Sequence, residues 1–204
     1  MISGYVRNKD NEPLEGVSVE LKDSGFNTRI ASVTDENGYF EFSENSGVYP
    51  FLTAVKEYGK DYLEYWAHNV DLSGGRSFDI RIGTNEIYGL GVHSVDGARY
   101  PLFLYFRPMN LKKYLAGDSD IAPGIADDSV CVKVDDVETD VFSLQRIKEC
   151  VSEDGDALTA YLVQLKTPSS RWERIQIEIC DLDGEVGMAT VFNPYCISRQ
   201  GAQF

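Results

Sequence analysis

Hydrophobic and polar residues alternate along most of this chain, with the two-residue period that is typical of β-strands. Val17, Val19 and Leu21 fall on one side of such a segment, while Ser18 and Glu20 fall on the other. In the first half the pattern predicts strands over residues 2–7, 14–21, 28–34, 39–43, 49–56, 69–72 and 77–82. Short strands at roughly 8–12-residue spacing are typical of a β-sandwich.

The turn at residues 34–38 connects the third and fourth of these strands. Asn37-Gly38 readily adopts the positive φ angles of a two-residue hairpin turn, and the side chain of Asp35 can brace it. Phe40 and Phe42 follow immediately and alternate with Glu41. The pattern therefore predicts a structural hairpin whose two Phe side chains fill a core.

The second half continues the alternation over residues 87–95, 101–107, 130–134, 157–166, 174–180 and 186–192. Residues 112–115 predict one helical turn, and residues 141–151 fit a strand better than a helix. Residues 83–85 are too short for a flexible tether, so we expect the halves to pack together. The predicted fold class is all-β, with two packed antiparallel β-sandwich domains over residues 1–84 and 85–204, the second Ig-like in outline.

A family resemblance makes the fold prediction for the first half more specific. Gly4-Tyr5-Val6, the segment from Pro13 to Val19 and the segment from Thr34 to Phe40 resemble the carboxypeptidase regulatory-like domain family over residues 1–83. The resemblance implies a transthyretin-like β-sandwich that accompanies enzymes, transporters or surface proteins and has no catalytic residues of its own. It also implies an extracytoplasmic, bacterial setting. Residues 86–204 show no comparable family resemblance.

The net negative charge of the chain disfavours anionic partners. The net charge is −14, and both halves are acidic, so nucleic acid and anionic membranes are poor partners. No apolar run approaches the roughly 18 residues that span a bilayer. No signal peptide follows Met1. The sequence is therefore compatible with a cytoplasmic location as well as with the extracytoplasmic one that the resemblance implies.

Aromatic residues are the best candidates for ligand binding. Tyr62, Tyr65 and Trp66 cluster with Tyr58, and Trp172 lies between Arg171 and Arg174. Aromatic faces stack on sugar rings and anchor protein partners. The alternative is that these side chains fill the cores or the interface between the halves, which we favour for Trp66.

Acidic residues suggest two further hypotheses. Asp181, Asp183 and Glu185 place three carboxylates at alternate positions around a turn, and such a turn can provide part of a calcium site. Acidic turns without metal are common, so calcium is only an alternative here, with Asp127, Asp128, Asp135 and Asp136 as additional ligands. An acidic pair in a cleft would make a small hydrolase, although the sequence marks no such pair.

Cysteine and histidine add little chemistry. The four cysteines are Cys131, Cys150, Cys180 and Cys196, and none has CxxC spacing. We expect reduced thiols, with Cys131 and Cys180 buried in strands. His68 and His93 lie in no metal-binding motif and are expected to be ordinary histidines.

The sequence thus favours a non-catalytic accessory or binding module that interacts with protein or glycan at a bacterial cell surface or within a larger assembly. The first alternative is a carbohydrate-binding module with Trp172, Tyr62 and Tyr65 as platforms. The second is the small hydrolase. No cofactor is required by any of these, unless calcium binds.

Overall fold

The fold consists almost entirely of β-strands. The computed structural model describes residues 2–43, 47–72, 75, 77–150 and 157–195, except for the side chains of Asp127 and Cys150. The strands are β1 (Ile2–Arg7), β2 (Ser18–Lys22), β3 (Thr28–Val33), β4 (Tyr39–Phe42), β5 (Val48–Val55), β6 (Tyr65–Asp71), β7 (Ser77–Arg81), β8 (Asn85–Ser94), β9 (Leu102–Asn110), β10 (Ile125–Val134), β11 (Val137–Thr139), β12 (Val141–Cys150), β13 (Ala157–Leu165), β14 (Arg174–Asp181) and β15 (Val186–Phe192).

The helical turn predicted at residues 112–115 is present as α1 (Leu111–Ala116), capped by Asn110 at its N-terminus and Gly117 at its C-terminus. No helix in the described ranges is long and apolar enough to cross a membrane. The all-β sandwich class is confirmed, and residues 141–150 form the strand that the sequence favoured.

The strands form three sheets. Their orders are β4-β1-β7, β11-β10-β14-β15-β6-β5-β2-β3 and β12-β13-β9-β8. Most pairs are antiparallel as predicted, but β1 pairs with β7 and β6 pairs with β15 in parallel. The β6–β15 pair makes the eight-stranded sheet continuous across residue 84. The division into two domains there remains a prediction.

Strand β15 belongs to both hydrophobic cores. Met188 and Phe192 lie in the first core, between the eight-stranded and the three-stranded sheets. Ala189 and Val191 lie in the second core, between the eight-stranded and the four-stranded sheets. Every residue of β15 is buried, which explains why its sequence is apolar almost without interruption. The two cores therefore lie on opposite faces of one sheet.

The hairpin predicted at residues 34–38 is wrong in one respect. The turn forms, with Gly38 at φ 73° and the Gly38 N–H donating to Asp35 O. However, β3 pairs only with β2 in the large sheet, whereas β4 pairs with β1 in the small one. The turn is therefore a corner between two sheets. The predicted burial of Phe40 and Phe42 in the first core is confirmed.

The same turn occurs four times in the described residues. It begins at Asn8, Asp23, Asp35 and Asp181, and in each case the side-chain Oδ1 accepts from the backbone N–H groups two and four residues later. The residue in the fourth position has a positive φ, and these residues are Asn11, Phe26, Gly38 and Gly184. Glycine and asparagine tolerate this backbone conformation, but a bulky side chain does so rarely. Phe26 is therefore the exception.

Cys131 and Cys180 are free thiols, as expected. The expected burial is wrong for Cys131, which is exposed, because its neighbours Val130 and Val132 take the inward positions of β10. Cys180 is half-buried. Cys196 and the side chains of Cys150 and Asp127 lie outside the described residues.

Candidate functional site

The outer face of β5 and β6 carries a group of aromatic side chains. Phe51 is the register partner of His68, and Thr53 is the register partner of Trp66. The intervening residues of both strands, such as Leu52 and Tyr65, point into the first core on the other face. We call the group of Phe26, Phe51, Trp66, His68 and Tyr88 the aromatic shelf.

Trp66 is the centre of the aromatic shelf. Its ring makes edge contacts with Phe26, Phe51 and Tyr88 at centroid distances of 5.8, 6.0 and 6.4 Å, and lies roughly parallel to the His68 ring at 6.3 Å. Phe26 and Tyr88 are about half exposed, at 53% and 54%. Phe26 and Tyr88 therefore each place a half-exposed ring next to Trp66.

Glu86 fixes the orientation of Trp66. Its side chain is buried, and Oε1 accepts the indole N–H of Trp66 at 2.8 Å. Oε2 accepts the Glu64 backbone N–H at 3.3 Å and the Tyr58 hydroxyl at 3.4 Å. Burial, followed by the charge of Glu86, raises the pKa of Tyr58 to about 12, so its hydroxyl keeps its proton. The orientation of Trp66 is therefore fixed before any ligand arrives.

Phe26 occupies a strained position to reach this shelf. It takes the fourth place of the recurrent turn with φ 63°, where Asn or Gly stands in the other three copies. For a residue with a Cβ this conformation costs about 1 kcal/mol. The ring stacks on Phe51 at a centroid distance of 4.6 Å while half of it stays exposed. Strain of this kind is more common at functional sites than elsewhere.

A cleft adjoins the aromatic shelf. It has a volume of about 580 Å³, and its walls include Phe51, His68, Val92, Trp172 and Tyr195. Phe51 and His68 belong to both features, so the shelf continues into the cleft. His68 has a buried Nε2 without a hydrogen-bond partner, and burial lowers the pKa of its imidazole. His68 therefore presents a neutral ring.

The structure separates the aromatic residues predicted to bind a ligand. Trp66 lies on the shelf, and Trp172 lines the cleft while packing against the second core. Tyr65 is 1% exposed in the first core, and its hydroxyl donates to Thr190 at 2.7 Å. Tyr62 is half-buried against the same core. Because Tyr65 is buried, neither face of its ring is accessible to a ligand, and it is not part of the candidate site.

The two arginines near Trp172 do not share its surroundings. Arg174 bonds to Asp136 and to the Ser77 carbonyl on the side of the sheet that faces β7. Arg171 is exposed, and its backbone N–H donates to Ser169 Oγ. Neither lines the cleft.

The acidic turn predicted as a calcium site has another role. Asp181 accepts the backbone N–H groups of Asp183 and Glu185 through Oδ1, and the Nδ2 groups of Asn85 and Asn110 through Oδ2. Glu185 forms ion pairs with Lys9 and Lys112. Among the described residues, no group of three His, Cys, Asp or Glu side chains has an arrangement suited to a metal ion.

Glu64 and Glu86 form an acidic pair close to the shelf. Burial raises the pKa of both carboxyls, to about 7 for Glu64. A glycosidase needs one carboxyl protonated and one ionised, which requires environments that separate the two pKa values. Here burial raises both, and Glu86 already accepts hydrogen bonds on both oxygens. The pair therefore suits positioning of Trp66 better than hydrolysis.

Glu64 should make stability depend on pH. Its pKa is about 7 in the folded protein and about 4.5 as the unperturbed value, so the folded state binds more protons between these limits. We expect the free energy of unfolding to fall by about 1–2 kcal/mol on this account as the pH rises through this window, after allowance for the side chain's partial exposure. Urea denaturation at several pH values across the window, for the wild type and Glu64→Gln, measures it.

The difference between the two proteins is the informative quantity, because His68 contributes a slope of opposite sign. Its lowered pKa makes the folded state bind fewer protons than the unfolded state below about pH 6.5. Glu36→Gln, in an exposed turn, should keep the wild-type pH profile. A Glu64→Gln profile parallel to that of the wild type would contradict the expectation.

Sequence reasoning missed Phe26, Phe51 and Tyr88. Phe51 and Tyr88 occupy ordinary strand positions and meet Trp66 only because three distant segments pack together. For Phe26 a signal existed. Residues 23–27 repeat the turn of residues 35–39, but with Phe at the position where the latter has Gly.

Comparison with protein-family models finds no match, and comparison with curated proteins finds none either. Solved structures with distant similarity include BcpA, the major pilin subunit of Bacillus cereus, at 14% identity over 93% of this chain and 66% of that chain, with a TM-score of 0.29. A DUF3823 family protein from Bacteroides ovatus has 8% identity over 94% and 97%, with a TM-score of 0.30. Bovine butyrophilin has 11% identity over 95% and 98%, with a TM-score of 0.32. Such low TM-scores support no inference about ligand or activity.

Proposed function

We propose that this protein is a non-catalytic binding module whose aromatic shelf binds a neutral polysaccharide. The observation that carries the proposal is the contact of the half-exposed Phe26 and Tyr88 rings with Trp66. Glu86 fixes the orientation of Trp66, and Phe26 is held in a strained backbone conformation. Aromatic rings in fixed orientations provide a large, rigid contact area at a low cost in conformational entropy.

The polar groups around the shelf support a sugar as the ligand. Glu20 and Lys22 lie on β2 beside Thr53 and Phe51 as their register partners, and they form an ion pair of 2.6 Å. A sugar ring has an apolar face for stacking and hydroxyl groups that hydrogen bond with such side chains. The net charge of −14 disfavours a densely charged acidic polymer, so we infer a neutral polysaccharide as the ligand of the shelf.

The setting of this module is part of the same proposal. The carboxypeptidase regulatory-like resemblance of residues 1–83 supports an accessory module at a bacterial cell surface or within a larger assembly. The sequence analysis predicted either a protein or a glycan as the ligand. We favour glycan because the polar side chains of Glu20 and Lys22 lie on the strand beside the aromatic shelf.

Affinity gel electrophoresis with mixed-linkage β-glucan, xylan and mannan tests the proposal. We expect at least one of these polysaccharides to slow the wild-type protein. Tyr88→Ala and Phe26→Gly should each weaken binding roughly tenfold, which corresponds to about 1.4 kcal/mol for the loss of one stacking ring. Phe26→Gly should leave the free energy of unfolding within about 1 kcal/mol of the wild type, since release of backbone strain offsets lost packing.

Phe142→Ala is the matched control, because Phe142 is also about half exposed, at 57%, but lies on β12 away from the shelf. It should bind as the wild type does. Trp172→Ala tests whether the ligand extends into the cleft. Absence of retardation by all three polysaccharides, or equal retardation of the shelf variants and the control, would contradict the proposal.

A further inference from the structure

A second groove lies on the opposite face of the eight-stranded sheet. It has a volume of about 510 Å³ and runs between β1 and β7 on one side and β10 and β14 on the other. Its ionisable walls include Arg7, Arg81 and Lys133 together with Asp79 and Glu178. Three cations in one groove are notable in a chain of net charge −14.

Two of these cations are held side by side. Arg7 and Arg81 are register partners on the parallel strands β1 and β7, so their side chains leave the small sheet on the same face. Like charges in such positions repel each other. Arg81 is compensated, because Nη1 pairs with Glu178 at 2.6 Å and Nη2 donates to the Lys9 carbonyl.

Within the described residues, Arg7 and Lys133 form no ion pair like that of Arg81 with Glu178. The Arg7 guanidinium lies 5.5 Å from the centre of the Tyr5 ring and makes a long contact of 3.5 Å with the Asn11 carbonyl. Among the residues that the structure describes, Arg7 forms no ion pair with a carboxylate, and Lys133 has Glu138 as its register partner on β11 without an ion pair between them. The Nε of Arg81 is buried and has no hydrogen-bond partner either.

We propose that this groove binds a single carboxylate group, held between the Arg7 guanidinium and the Lys133 ammonium. The formal charge of its walls is +1, from three cations and two carboxylates, which suits a monoanion better than a phosphate that carries nearly two charges. Arginine binds carboxylates through two parallel N–H bonds, and lysine adds a point charge. The carboxylate belongs either to a uronic acid or to a peptide C-terminus.

Nuclear magnetic resonance titration of the isotope-labelled protein with four probes tests the proposal. The charged probes are sodium glucuronate and N-acetylated triglycine, and their neutral counterparts are glucose and the C-terminally amidated peptide. We expect saturable shifts of the amide signals of Arg81 and Lys133 with at least one charged probe and none with its neutral counterpart. Saturation by glucuronate alone assigns the site to uronic acids, and saturation by the peptide alone assigns it to chain termini.

Arg7→Gln and Lys133→Gln should each weaken binding of that probe roughly fivefold, because each removes one charged hydrogen-bond donor. Arg29→Gln removes an exposed cation of β3 that pairs with Asp23 at 2.7 Å, and should leave the affinity unchanged. The proposal is overturned if neither charged probe saturates, if the neutral counterparts bind equally well, or if all three variants behave alike while remaining folded.

Discussion

Replacement of Asp181 by Ala should lower the free energy of unfolding by about 3–4 kcal/mol. The carboxylate is 8% exposed and accepts four hydrogen bonds, two from the backbone of its own turn and two from the side chains of Asn85 and Asn110. Removal leaves these buried donors without partners, which costs more than the hydrogen bonds themselves contribute. Urea denaturation in the presence of a chelator measures the effect.

The effect should spread over three elements, because Asn85 begins β8 and Asn110 caps α1 at the end of β9. Asp183→Ala is the control, since Asp183 is exposed in the same turn and only its backbone N–H bonds to Asp181. It should cost less than about 0.5 kcal/mol. Equal losses for both variants would contradict the structural role of Asp181.

The same pair of variants separates this role from the calcium hypothesis. If calcium binds the turn, millimolar calcium should raise the melting temperature of the wild type, and Asp183→Ala should remove that rise. A structural role predicts that Asp181→Ala is destabilised equally with calcium and with chelator.

The second large effect is expected at Gly38. Both Gly38 and Gly184 occupy the fourth position of the recurrent turn, with φ of 73° and 78°. A Cβ on Gly38 would lie 2.4 Å from the Val6 carbonyl oxygen, whereas a Cβ on Gly184 would meet no atom within 4 Å. Gly38→Ala should therefore cost about 3 kcal/mol or more, and Gly184→Ala only about 1 kcal/mol for the backbone conformation.

Thermal and urea denaturation of these two variants measures the contrast. The Val6 carbonyl also accepts the Leu14 N–H at 3.0 Å, so displacement by a Cβ disturbs the contact between β1 and the segment before β2. If Gly38→Ala and Gly184→Ala lower the free energy of unfolding equally, the close approach to Val6 does not contribute to the destabilisation.

Local patterning predicted the elements well, because each depends on a few neighbouring residues. The period of two predicted the strands that contain Val19 and Phe40. The pattern of residues 112–115 predicted the helical turn that is present as α1. Sheet partners depend on distant contacts, so the sequence placed the turn at Asp35 within a hairpin rather than at a corner between sheets. The parallel pairing of β6 with β15 had no local signal at all.

The candidate site was predictable only in part for the same reason. Tyr65 and Trp66 are adjacent in a strand, so only one of them can face a given side. The sequence therefore contained the information that both cannot be ligand platforms, but the register that decides between them comes from the packed sheet. Tyr88 and Phe26 contact Trp66 from segments that are distant in sequence, so no local pattern predicts these contacts.

The position of β15 has a consequence for biosynthesis. Met188 and Phe192 complete a core whose other members lie between residues 2 and 82. During synthesis the first half emerges more than a hundred residues before the strand that closes it, and a contact between such distant segments forms slowly. Until then β6 presents an unpaired edge, which is open to pairing with another nascent chain. To avoid such pairing, ribosome-bound chains would need either chaperones or a short delay before residues 186–192 are synthesised.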